Sequence, residues 1–424
     1  MARGADAGAT TTSELAAVAS RAAAGDLDAA HVLRAAGPAG LSALLDAGVA
    51  EAGRGDDATR AIDERAIDPR ALDLVCAQVD CAASHLYWYT DFAAARAEAE
   101  RSGKPIVVLR LLGRLDEQLS CANSRYFRLV LYSDPSIAGW LREHAVLYWT
   151  SERPVPKVTV DFGDGRRLVG TVTGNSIHYM LDPHGRIVDG MPGLHTPQRF
   201  LAWLQDASQL ATRWAPLPDA RFVAVSHEEH AHRYQQILDD LVGELTERGW
   251  SKAAALEAWG EPEKAEQAAN PTAGDAARLA LSKGVAERPL LAAMGASPTF
   301  PAPSNAVASL VPTQRWGARI SPESRRLIVA RAPSTADDDV NAAMMRLEVR
   351  LAEDGLRNEA FLHRRIHDIL SRTYGLWSWQ DLNDWVYTTL FLTPTSDPWL
   401  GLEPTELLWA VAPVAPAAES GGRP

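Results

Sequence analysis

The chain has 424 residues, 46% of them hydrophobic and 23% charged, the balance of a soluble globular protein long enough for two or three domains. Its net charge is −12 and it has no Lys/Arg cluster, which argues against nucleic acid or an anionic membrane as the main partner. No apolar run approaches the ~20 residues that span a bilayer, and the absence of a P-loop, a GxGxxG fingerprint and a GxSxG elbow leaves no nucleotide or organic cofactor implied.

Residues 1–12 read as disordered. The opening MARGADAGATTTSELAAVAS has no apolar h-region, so no signal peptide is expected. Three cysteines, an odd and low number, suit a reducing cytoplasm. Ser13–Ala36 and Leu41–Ala50 carry apolar residues at helical spacing, with a break at Gly25-Asp26, and Ala58–Ala83 adds one or two helices. Residues 1–83 therefore read as an α-helical lead-in. Cys76 and Cys81 lie five apart in that stretch, about 140° apart around a helix axis. That disfavours a bridge unless the helix ends between them.

Residues 84–212 change character. Trp88-Tyr-Thr-Asp-Phe92 leads into an Ala-rich helix that ends at Gly103. Pro105 to Leu112 is a largely apolar run rich in Val, Ile and Leu, the pattern of a buried strand. Cys121-Ala-Asn-Ser124 then opens a helical segment. A cysteine there meets unpaired backbone N–H groups and the positive end of the helix dipole, which favour the thiolate. Ala145 to Trp149 is a second strand. Residues 177–193 form a closing hairpin around Asp182-Pro-His-Gly185, and Thr196 caps a last helix with Pro197 at its first position. Between strand and hairpin, residues 155–173 hold an inserted hairpin turning at Gly163-Asp164-Gly165.

This order of helix, strand, helix, strand, hairpin and helix, with Cys-x-x-Ser at a helix start, resembles the thioredoxin-like superfamily. The resemblance implies an α/β thioredoxin-like central domain at 84–212, with α-helical N-terminal and C-terminal regions. It also implies thiol chemistry at Cys121. Two positions depart from the family. Ser124 stands where a dithiol enzyme has its second cysteine, and Ser176 falls where the family usually has a cis-proline. A cis bond before a non-proline costs about 2.5–4 kcal/mol, so a trans peptide is expected. Cys121 could form a mixed disulfide with another protein or a low-molecular-weight thiol, but a hydroxyl at Ser124 cannot resolve it. The alternative is a non-catalytic binding or scaffold module.

Residues 213–412 read as a mostly α-helical domain, followed by a disordered tail at 413–424. Helices are expected at His227–Glu247, Lys252–Trp259, Asp275–Gly284, Asp337–Arg372 with an interruption at Gly355, Trp377–Leu392 and Pro404–Ala412. Ala296–Gln314, rich in Pro, Ser and Ala, reads as a loop.

The candidate sites each have a plainer alternative. Cys121 is either a thiolate assisted by Arg125 or a buried, inert residue. Asn175 and Ser176 would line its groove, and His178 could activate it; packing and loop satisfaction explain the same residues more simply. Glu359, His363 and His367 stack at i, i+4, i+8 on one helix face, as a metal alternative. The outer two are ~12 Å apart at 1.5 Å rise per residue, so a solvated face or local ion pairs, with Arg364 and Arg365 alongside, is preferred and no metal is assigned. His227-Glu-Glu-His230-Ala-His232 misses HExxH spacing and reads as an exposed first helical turn. Six of the thirteen tryptophans fall from residue 316 onward, and core packing explains them better than a binding groove.

Overall fold

A computed structural model describes residues 12–52, 67–259, 305–311, 318–331, 337–373 and 375–401. The lead-in holds four helices, α1 (Thr12–Ala23), α2 (Leu27–Ala35), α3 (Pro38–Ala52) and α4 (Pro69–Cys76). Their small apolar faces pack into a core of their own, built on Ala22, Ala30, Leu33, Leu44 and Leu72. Asp68 caps α4 and Pro69 occupies its first turn, where the missing N–H costs nothing. The helix stops at Cys76 because Ala77 adopts the left-handed conformation, with φ of 52°. The condition set by the sequence is therefore met. The chain turns between the cysteines, their Cα atoms lie 6.3 Å apart, and Cys76 and Cys81 form a disulfide.

The centre of the molecule is an α/β unit with a five-stranded mixed sheet. In chain order its elements are β1 (Trp88–Tyr89), α5 (Phe92–Ser102), β2 (Ile106–Leu111), α6 (Ala122–Tyr126), α7 (Pro135–His144) and β3 (Val146–Ser151). The inserted strands β4 (Lys157–Asp161) and β5 (Arg167–Thr171) follow, then β6 (Ile177–Leu181), β7 (Ile187–Pro192) and α8 (Pro197–Trp214). The sheet order is β1-β3-β2-β6-β7; β4 and β5 pair separately as an antiparallel hairpin. β3 runs parallel to β1 and β2, whereas β6 and β7 are antiparallel to their neighbours. Val108 sits opposite Tyr148 on one side and Tyr179 on the other. That central position explains the largely apolar run of β2, broken only by Arg110, which pairs with Glu152. Asp182 closes the β6–β7 turn by accepting the N–H groups of His184 and Arg186, and Gly185 turns with φ of 89°.

Beyond the sheet lie α9 (Asp219–Thr246), α10 (Lys252–Trp259), α11 (Asn305–Leu310), α12 (Pro322–Arg331) and α13 (Asp337–Arg357). A π-helical turn at Asn358–His363 joins α13 to α14 (Arg364–Arg372), so the interruption falls just after Gly355. Then α15 (Trp379–Trp385) runs into another π-helical turn, Val386–Leu390. Two expectations are corrected here. α9 starts at Asp219, behind Pro218, so His227–His232 lies inside a helix and not in its first turn. α11 forms within the stretch read as a loop, because Ala306, Val307 and Leu310 are buried against Leu241, Trp259 and Leu356. The expected helices at Asp275–Gly284 and Pro404–Ala412, residues 1–11 of the expected disordered N-terminus and the whole 413–424 tail lie outside the described residues.

The C-terminal helices share one continuous core with the sheet. Leu351, Ile366, Leu382 and Tyr387 pack with Val107 and Tyr179. Trp379 is buried in it, and Trp377 and Trp385 pack against it, as the core explanation of these tryptophans requires. Trp399 remains 45% exposed. No described helix is long and apolar enough to cross a membrane.

Candidate functional site

Cys121 is the residue before α6, at its N-cap, and its N–H donates to the Leu112 carbonyl at the end of β2. Facing it is the loop that enters β6. Thr173 and Gly174 both have positive φ, 61° and 87°. A Cβ on Gly174 would stand 3.2 Å from the Cys121 Cβ, so the loop approaches closely only because residue 174 is glycine. The approach brings Ser176 Oγ within 3.4 Å of Cys121 Sγ. The peptide before Ser176 is trans, as expected; the described residues contain no cis peptide.

The other residues assigned to this groove are engaged elsewhere. Ser124 Oγ is hydrogen-bonded to Ser120 Oγ. Arg125 donates to Thr171 Oγ1 at 3.2 Å, on the inserted hairpin. His178 Nε2 pairs with the Tyr132 hydroxyl at 2.7 Å, and its ring packs between Phe127 and Phe200. Burial, with help from nearby His195, pushes its pKa down to about 3. His178 is thus a packed neutral histidine that makes no hydrogen bond with Cys121.

The groove is closed by the far end of the chain. Cys121 is fully buried. From the π-helical turn after α15, the Tyr387 hydroxyl donates to the Asn175 carbonyl at 2.8 Å. Asn383 donates to Glu152 at 2.7 Å and accepts from the Tyr179 hydroxyl at 3.3 Å. Arg153 donates to the carbonyls of Asp397 and Pro398 at 2.6 and 3.1 Å. Asn123, the second residue of α6, is fully buried, and neither of its amide atoms has a hydrogen-bond partner.

A second polar cluster lies where β7 meets α9 and α14. Asp189 is held by two donors, the Gly190 N–H at 2.7 Å and Trp203 Nε1 at 3.1 Å. His363 Nε2 is 3.3 Å from Asp189 Oδ1, and its Nδ1 is 3.2 Å from Glu359 Oε2. His367 Nδ1 is 3.8 Å from Asp189 Oδ1 and 2.9 Å from His230 Nδ1. Arg199 pairs with Glu359 at 2.7 Å. All of Asp189, His230, Glu359, His363 and His367 are buried. The expected solvated face is therefore overturned, because α14 packs along α9 and onto β7; the other alternative, ion pairing, is present at Glu359, which pairs with His363 and Arg199. His230 is likewise inside, not on an exposed turn.

No family model, curated protein or solved structure matches the chain. The chemistry of both clusters therefore rests on their own geometry.

In the second cluster, burial alone would discharge every group. For His363 that effect is outweighed by the Asp189 and Glu359 carboxylates, which raise its pKa to about 9. For Asp189, too, burial is outweighed by the facing imidazoles, and its carboxyl is held well below the usual range. Burial dominates at His230, lowered to about 4, and at His367, lowered well below its ordinary value with His363 adding to the effect. One donor atom each from Asp189, His363 and His367 lies within 4.8 Å of the others. Glu359 touches His363 on the nitrogen away from Asp189, so it supports this set from behind. A cavity of about 190 Å³, lined by Arg199, Trp203, Arg233, Glu359, His363 and His367, reaches the cluster.

Asp189 carried no signal of its own in the sequence. It stands in Ile187-Val-Asp-Gly-Met-Pro192, where it reads as one polar residue of a hairpin strand, and its partners lie on helices far along the chain. Tyr387 was hidden for the same reason, its partner Asn175 lying 212 residues away.

Proposed function

We propose that residues 84–212 are a thioredoxin-like domain retained for binding, with Cys121 sheltered under the chain's own C-terminal helices, in a cytoplasmic protein. Three parallel strands followed by an antiparallel pair, in the order β1-β3-β2-β6-β7, support the thioredoxin-like reading, as do Cys121 before α6 and Ser176 beside it. The observation that carries the binding reading is the complete burial of Cys121 beneath a segment anchored by Tyr387 on Asn175. Thiol exchange needs an accessible thiolate. Ser124 offers no resolving thiol, and its hydroxyl is engaged by Ser120. The partner in this reading is another protein, held by the domain and its helical flanks. The Cys76–Cys81 bridge is itself fully buried, which shields it from cytoplasmic thiols.

Mixed-disulfide chemistry at Cys121 is the second reading. Its position at the N-terminus of α6, with the Ser176 hydroxyl at 3.4 Å, favours it. That reading requires the Tyr387 segment to move aside for another protein or a low-molecular-weight thiol.

Alkylation separates the two. With Cys76 and Cys81 bonded, Cys121 is the free thiol of the chain, so the unmodified protein can be labelled without reductant. Slow labelling that becomes fast on denaturation is expected. Fast native labelling, with an apparent pKa well below the ~8.5 of a free thiol, would establish the second reading instead.

A further inference from the structure

We infer that Asp189, His363 and His367 form a site for one divalent transition-metal ion.

The donor set is the first reason. Two imidazoles and one carboxylate suit first-row divalent ions such as zinc, iron, cobalt and manganese, and leave positions for water or an exchangeable ligand. The spacing is the second. Ligands ~2.0–2.2 Å from a metal, at angles between tetrahedral and octahedral, lie roughly 2.9–3.5 Å from one another. His363 Nε2 and Asp189 Oδ1 are 3.3 Å apart, and one donor atom each of Asp189, His363 and His367 lies within 4.8 Å of the others. The separation between His367 Nδ1 and Asp189 Oδ1, 3.8 Å, closes with a small side-chain rotation.

The supporting shell is the third reason. Glu359 faces His363 Nδ1 at 3.2 Å. Both ring nitrogens of His363 face a carboxylate, Nδ1 toward Glu359 and Nε2 toward Asp189. A metal ion binding there displaces the Nε2 proton to solvent and takes its place between His363 and Asp189, while the Nδ1–H stays on Glu359. A carboxylate behind a ligating imidazole is a recurrent feature of metal sites, fixing the tautomer and raising ligand basicity. Glu359 is in turn held by Arg199, and Asp189 by Trp203 and the Gly190 N–H. His230 Nδ1 and His367 Nδ1 share a hydrogen bond at 2.9 Å, which orients the His367 ring. The cavity of about 190 Å³ that includes His363 and His367 in its wall gives an ion a way in.

The inference is independent of the fate of Cys121. It is tested on the full chain, stripped with a chelator and titrated with Co²⁺. One equivalent should bind per chain and give d–d absorption bands; Zn²⁺ should displace it, and either ion should raise Tm. D189N and H367Q should abolish the bands. E359Q should keep them while weakening affinity about 10–100-fold, the usual effect of losing an outer-shell partner. H178Q, at a histidine outside the set, should bind as the unmodified chain does. X-ray absorption of the Zn²⁺-loaded unmodified chain, which needs no variant to fold, should show nitrogen and oxygen ligands with imidazole scattering. The inference is overturned if the folded, unmodified chain binds none of Zn²⁺, Co²⁺, Fe²⁺ and Mn²⁺. It is equally overturned if sulfur appears in the metal's shell, or if D189N and H367Q bind as before.

Discussion

Asp189 and His363 are 174 residues apart in sequence and their side chains meet at 3.3 Å, both buried. The contact ties the last strand of the sheet to the C-terminal helices. Removing one partner of a buried charged pair strands the other, at a cost of about 3–5 kcal/mol. D189A should therefore lower unfolding stability by that amount in urea titrations. D189A/H363A should lose less than the two single variants summed, because neither charge is left alone. Strict additivity would show that the pair does not act as one.

The fold was legible where its causes are local. The apolar run of β2, the Asp182–Gly185 turn and the Thr196 cap each depend on a few neighbouring residues. The start of α9 is set by Pro218, a weaker signal in the sequence than the histidines that follow it. Long-range pairings were not legible. Asp189 is a site residue only through His363, on the π-helical turn before α14, and Tyr387 only through Asn175.

The disulfide gives a second prediction. Ala77 ends α4 in the left-handed conformation, and Asp73 Oδ1 accepts the Cys81 N–H at 2.9 Å. The bridge closes only a short loop, so constraint of the unfolded chain contributes about 2 kcal/mol. C76A/C81A should lower the denaturant midpoint accordingly, leaving the sheet's circular dichroism unchanged. An unchanged midpoint would mean that the Asp73 contact and the Ala77 turn hold this corner alone.

His178 makes stability depend on pH. Its pKa is about 3 in the fold and ~6.5 in an unfolded chain. Between those values the unfolded chain binds a proton that the native chain refuses. Stability from this residue is complete above pH ~6.5 and declines as pH falls toward 3, by up to ~1.4 kcal/mol per pH unit. Asp73, raised to about 6 chiefly by burial, acts in the opposite sense, losing stability as pH rises from 3.8 to about 6. Urea titrations of H178Q across pH 3–7 should show a shallower decline on acidification than the unmodified chain. Parallel curves would mean that His178 accepts its proton without unfolding.

Tyr387 can be tested with two substitutions that separate its hydrogen bond from its bulk. The hydroxyl donates to the Asn175 carbonyl, and the ring is buried among Phe391 and the residues of the shared core. Y387F removes the hydrogen bond alone and should cost about 0.5–1.5 kcal/mol. Y387A also removes the ring, and by analogy with other buried aromatics should cost about 3–5 kcal/mol. If the C-terminal segment is what shelters Cys121, alkylation in native buffer should accelerate modestly in Y387F and strongly in Y387A, following the stability of the local closure. A destabilised Y387A with unchanged Cys121 labelling would separate the two effects. In that case the loop at Thr173–Ser176, packed directly on the thiol, would be the barrier, and movement of the C-terminal helices alone would not expose the cysteine.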